Sequence, residues 1–157
     1  AIAGGSAGGY TTLQALVTSD FFAAGISSYG IGDLRSLVEE THKAESHYTF
    51  ALVAPWPEGE QIYRERSPIT RLNAPMLILQ GLEDRVVPPG QAFDMADAVR
   101  AKGLALALVT FEHEGHGFRS LAAREQSLES QVSFLEQVFG LPLSDDVPVL
   151  PIENLKA

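Results

Sequence analysis

Ser6 is the side chain of this sequence best suited to act as a nucleophile. It sits in Gly4-Gly5-Ser6-Ala7-Gly8, which fits Gly-x-Ser-x-Gly. In that pattern a strand turns sharply into a helix and lifts the serine hydroxyl clear of the sheet. The turn needs small neighbours, and glycine supplies them two residues before and two after. Ala7 then offers its backbone N–H, at the helix start, to a developing oxyanion. A Gly-rich turn of this kind could instead bind a phosphate or simply change chain direction.

A serine needs a base, and the base needs an acid to hold it. His116 lies in Phe111-Glu112-His113-Glu114-Gly115-His116-Gly117-Phe118, between two glycines that let its loop bend and carry the ring over the serine. His113, flanked by Glu112 and Glu114, reads as a surface or salt-bridged histidine. His-Glu-x-His is not the zinc spacing His-Glu-x-x-His, and the chain has no cysteine, so neither a metal nor another cofactor is expected. The acid comes from Leu79-Gln80-Gly81-Leu82-Glu83-Asp84-Arg85-Val86-Val87-Pro88. Glu83 and Asp84 both qualify by type. Asp84 is preferred, because a short carboxylate close to a strand end can be held rigidly against an imidazole; the alternative is a capping or solvated loop acid. His42 and His47 stand among charged residues and read as a solvated helix face. Trp56, between Pro55 and Pro57, reads as a loop anchor, or else as part of a pocket or partner contact.

Short apolar runs alternating with helical patterns must position these groups, and they predict a mostly parallel α/β sheet. Strands are expected over residues 1–3, 22–28, 76–80 and 104–111. Helices are expected over 8–18, 34–46, 48–52, 89–102 and 122–139, the last with Leu128, Val132, Leu135 and Val138 facing inward. Residues 53–68, punctuated by Pro55, Pro57, Gly59 and Pro68, read as loop. The Pro-rich tail from Leu141 is expected to wrap the surface. Serine, acid and histidine then each follow a successive strand, which is the chain order of α/β-hydrolases. In that arrangement His116 takes the Ser6 proton, Ser6 attacks a carbonyl to give an acyl-enzyme, and Asp84 fixes the histidine tautomer.

Composition limits the partners. The chain has 157 residues, 45% hydrophobic and 20% charged, with a net charge of −9. That length suits one domain with a real core. The negative charge disfavours nucleic acid and anionic membrane surfaces. No run of 18 apolar residues occurs. The first residues read as the end of a buried strand, so a piece of a longer protein is expected.

GGSAGGY, ETHKAESHY, SPITRLNAPMLILQGLEDRVVPPGQ and FEHEGHGFR together resemble the catalytic domain of the prolyl oligopeptidase family of serine peptidases, nearest its acylaminoacyl-peptidase and dipeptidyl-peptidase-like branch. The resemblance runs from Ala1 to about Gly140. It implies the C-terminal half of an α/β-hydrolase fold, with an N-terminal propeller and the first strands outside this chain. It implies a Ser6–Asp84–His116 triad acting on short or N-terminally blocked peptides, with the Ala7 N–H as one oxyanion donor and the second donor on an earlier loop. Tyr10 and Tyr29 are implied near the substrate. The sequence departs from the family pattern at Ala44, where an aromatic is common, and at His113, where glycine is common. An esterase of the same fold, or an inactive piece serving as an assembly module, are the competing readings. Association through the first strand, with a second copy or a companion segment, is expected, and the cytoplasm is the expected compartment.

Overall fold

The computed structural model describes residues 1–40 and 46–156. Four strands, β1 (Ile2–Gly5), β2 (Gly25–Ser28), β3 (Met76–Gly81) and β4 (Leu106–Phe111), form one sheet in the order β1-β2-β3-β4. Every pairing is parallel. The helices are α1 (Ala7–Thr18), α2 (Leu34–Glu40), α3 (Ser46–Leu52), α4 (Glu60–Arg66), α5 (Gly90–Ala101) and α6 (Leu121–Phe139), with a 3₁₀ turn at Ile69–Arg71.

A parallel sheet has helices on both faces, so its inner strands are apolar throughout. All six residues of β3 are buried. Its side chains divide by the two-residue period of a strand. Met76 and Ile78 join Leu13 and Leu16 of α1 and Met95 and Val99 of α5. Leu77 and Leu79 join Ile26, Val109 and Phe134 of α6 on the other face. The register aligns the C-terminal ends of the strands: Gly5 pairs with Ser28, Ser28 with Leu79, and Gly81 with Phe111. The residues following β1, β3 and β4 therefore emerge at one edge, where open α/β sheets build their sites.

Two sequence expectations need correction. Residues 53–68 are not all loop, because they contain α4. Glu60 supports that helix, its carboxylate accepting from the Arg64 guanidinium one turn later at 2.6 Å. Tyr63 is fully buried and donates its hydroxyl to the Ala54 carbonyl at 2.7 Å, and the Trp56 ring meets it edge-on at 5.3 Å. On α6, Leu128 and Val132 face outward, 64% and 41% exposed. The inward face carries Ala123, Ser127, Ser130, Ser133 and Phe134. Small side chains let the helix lie close to the sheet, and the Ser133 hydroxyl is satisfied by accepting from the Leu150 N–H. Leu135 and Val138 do pack on the core.

The expected helix over 34–46 corresponds to α2 and the beginning of α3, with residues 41–45, including His42, outside the described residues. His47 falls within α3. The tail does cross the surface: Glu153 forms an antiparallel bridge with Leu106, and Leu150 and Ile152 pack on the core.

Candidate active site

The turn from β1 into α1 places Ser6 at φ 55° and ψ −122°, a backbone region that non-glycine residues rarely occupy. The strained turn is held at both ends: the Ser6 N–H donates to the Ser28 carbonyl at 3.0 Å, and the Tyr10 N–H to the Ser6 carbonyl at 3.1 Å. Within this turn, space is shortest at Gly4 and Gly9. A Cβ at Gly4 would lie 2.3 Å from the Gly8 carbonyl oxygen, and one at Gly9 would lie 2.7 Å from the Gly30 Cα. Gly8, expected from the sequence to be required for space, has nothing within 4 Å of its own Cβ position. Ala7 is the first residue of α1, so its N–H is among those a helix leaves without an internal partner. It lies at the positive end of the helix dipole, beside the Ser6 hydroxyl.

Asp84 lies three residues beyond the end of β3. It is buried, and its carboxylate has a divided task. Oδ1 accepts from the N–H groups of Val86 and Val87 at 2.8 and 2.9 Å, which fixes the carboxylate in its loop. Oδ2 lies 2.8 Å from His116 Nδ1. On the other side of the ring, His116 Nε2 lies 2.8 Å from Ser6 Oγ. The Asp84 carboxylate accepts only, so Nδ1 carries the imidazole proton and Nε2 is free to accept from the serine hydroxyl. Glu83, the other candidate acid, points away and meets the exposed His113 at 3.4 Å.

Two further residues hold this arrangement, and the sequence did not single them out for that purpose. Glu114 is buried although it follows an exposed histidine. Its carboxylate accepts from the N–H groups of Arg119 and Ser120 at 2.6 and 3.0 Å. Its backbone carbonyl accepts from the Glu83 N–H at 2.9 Å, tying the acid loop to the histidine loop. The Ser120 side chain, followed by the Arg119 and Ser120 N–H groups, holds the Glu114 carboxyl below its ordinary value. The two loops approach so closely that a Cβ at Gly81 would lie 2.3 Å from the Glu114 carbonyl oxygen. Tyr29, also at positive φ, packs its ring edge-on against His116 at 5.0 Å and against Phe118 at 5.3 Å. Its position beside the imidazole makes it a wall of the site.

Tyr10 is on α1, one turn after Ser6. Together with Ala7, Ile31, Leu34, Leu37 and Val53 it lines a cleft of about 250 Å³ that opens next to the serine turn. Its hydroxyl donates to the Arg66 carbonyl at 2.9 Å, joining α1 to the end of α4. Among the described residues no group of three or more His, Cys, Asp or Glu side chains could hold a metal ion.

Comparison with known proteins bears on the family and the fold. The model of the prolyl oligopeptidase family matches residues 1–142. Dipeptidyl aminopeptidase BIII of Pseudoxanthomonas mexicana is 35% identical over 149 residues, covering 89% of this chain and 22% of that protein. A puromycin-hydrolysing peptidase of Mycobacterium tuberculosis superposes with a TM-score of 0.89 at 44% identity, over 96% of this chain and 23% of the other. An acylaminoacyl peptidase in complex with Z-Gly-Gly-Phe-chloromethyl ketone superposes with a TM-score of 0.79 at 26% identity, over 92% of this chain and 25% of the other. The chain thus spans about a quarter of the length of these three proteins.

Proposed function

The chain belongs to the prolyl oligopeptidase family, and on that footing we propose that it carries the catalytic triad of a serine peptidase that cleaves short or N-terminally blocked peptides. The unbroken hydrogen-bonded series Ser6–His116–Asp84, with both links at 2.8 Å, is the observation that carries this reading.

In the proposed reaction His116 Nε2 takes the Ser6 proton as Oγ attacks the peptide carbonyl carbon. Charge develops on the carbonyl oxygen, where the Ala7 N–H donates to it. The imidazolium keeps its Nδ1–H on Asp84, whose carboxylate stabilises the positive charge and stays ionised. The intermediate collapses, His116 passes the proton to the leaving amine, and an acyl-Ser6 ester remains. A water molecule, deprotonated by His116, attacks that ester, and Ser6 leaves with the proton returned to it. The apolar cleft lined by Tyr10, Ile31 and Leu34 opens beside the nucleophile, which supports a preference for substrates with an apolar side chain at the scissile residue.

Turnover of peptide anilides by the full-length protein tests the reading. Wild type should hydrolyse an anilide with an apolar residue before the scissile bond, and Ser6→Ala should reduce turnover by about 10⁶, the scale found when a triad nucleophile is removed. Retained peptide turnover in Ser6→Ala would refute the triad. Hydrolysis confined to short acyl esters would assign the chain to esterase chemistry instead.

A further inference from the structure

Gln80 is the one polar side chain of β3, and it is fully buried at the strand's last residue but one. The four residues before it, Met76 to Leu79, are apolar and equally buried, and an apolar side chain would be the ordinary occupant here. The amide's contacts explain its presence. Nε2 faces three oxygens, which share its two hydrogens: the Gly81 carbonyl at 3.0 Å, the Val87 carbonyl at 3.3 Å and Asp84 Oδ2 at 3.4 Å. Oε1 has no hydrogen-bond partner among the described residues. Three acceptors on one side fix which way the amide faces, because a flipped amide would set its own oxygen against them.

Those three oxygens are not a random set. Gly81 ends β3 just before the acid loop and Val87 lies at the loop's far end, so a single NH₂ group spans the segment that carries Asp84. The third oxygen is the carboxylate atom that also receives the His116 Nδ1–H. The Val86 and Val87 N–H groups restrain the other carboxylate oxygen. The imidazole-facing oxygen is restrained from within the protein by Gln80.

We infer that Gln80 is a positioning residue of the triad: its buried amide pins both ends of the acid loop and the imidazole-facing oxygen of Asp84, holding that carboxylate in line with His116. The inference rests on the triad reading above. It assigns Gln80 no contact with substrate, so its effect must travel through Asp84.

Kinetics of the full-length protein with Gln80→Leu test it. The folded variant, verified by its melting transition, should keep KM and lose kcat by about tenfold, the size of one hydrogen bond to a charged group. Placed on an Asp84→Asn background, Gln80→Leu should lower kcat no further, since a residue acting through Asp84 is not additive with its loss. Wild-type kcat in folded Gln80→Leu, a change confined to KM, or a full additive loss in the double variant would each overturn the inference. Gln80→Met, unbranched and closer to the amide in shape, takes the same measurements if the leucine variant does not fold. Ser6→Ala in the same assay separates the two levels. If it keeps turnover, the triad reading itself falls; if it is inactive while Gln80→Leu and Gln80→Met keep wild-type kcat, only the role of Gln80 falls.

Discussion

A serine hydroxyl is a poor nucleophile until an imidazole stands ready to take its proton, and in the proposed triad two carboxylates would serve that readiness in different ways. Asp84 faces His116 directly. Glu114 closes the loop on which His116 sits, its carboxylate accepting from the N–H groups of Arg119 and Ser120. The sequence drew attention to Asp84 because an acid after a buried strand is a recognisable pattern. It gave no such sign for Glu114, whose neighbours Glu112 and His113 are exposed, so its burial could not be read from local polarity. Because the folded protein holds the Glu114 carboxyl below its ordinary 4.5, the ionised form contributes stability above the unfolded-state value, and that contribution is lost as pH falls through the depressed one. Glu114→Gln should therefore melt at a lower temperature than wild type at pH 7, and the gap should narrow on acidification below about pH 4.5. Thermal melts over that range check this; a gap independent of pH would contradict it.

The strands that position the site were legible as elements because their apolar runs are short and bounded by glycine, proline and acidic loops; β3 was placed within one residue of its end. Burial within elements was less legible. On α6 the larger apolar residues Leu128 and Val132 suggested an inward stripe, but the helix turns its serines and Ala123 to the sheet, because close approach demands small volume and the buried hydroxyls find partners such as the Leu150 N–H. Helix α4 was hidden by the prolines and glycine around it, since local punctuation outweighed the Glu60–Arg64 spacing. The serine turn gives a similar lesson. Its pattern names Gly8, whereas space is short at Gly9, which faces the Gly30 backbone. Gly9→Ala should cost roughly 1–3 kcal/mol by forcing α1 away from that backbone. Gly8→Ala should be neutral or stabilise by about 0.5–1 kcal/mol through helix propensity. Melting temperatures of the two variants decide it, and equal losses would show that the pattern reports space at both positions.

At the scale of the whole chain, four parallel strands with aligned C-terminal ends bring residues 110 positions apart into one hydrogen-bonded series. Strand β4 has the tail across it at Glu153, while β1 lies at the other end of the sheet order and is paired through β2 alone among the described residues. A free strand edge recruits another strand. We therefore expect the 157-residue chain on its own to associate with a second copy through β1, with a mass above the monomer by light scattering; a folded, strictly monomeric chain would contradict that expectation. Ser6 is the proposed nucleophile, and reaction of the full-length protein with a fluorophosphonate, followed by peptide mass spectrometry, tests that role. One adduct is expected, on Ser6, and it should be lost in His116→Ala. An adduct on another serine, or labelling of Ser6 that proceeds unchanged without the imidazole, would contradict it.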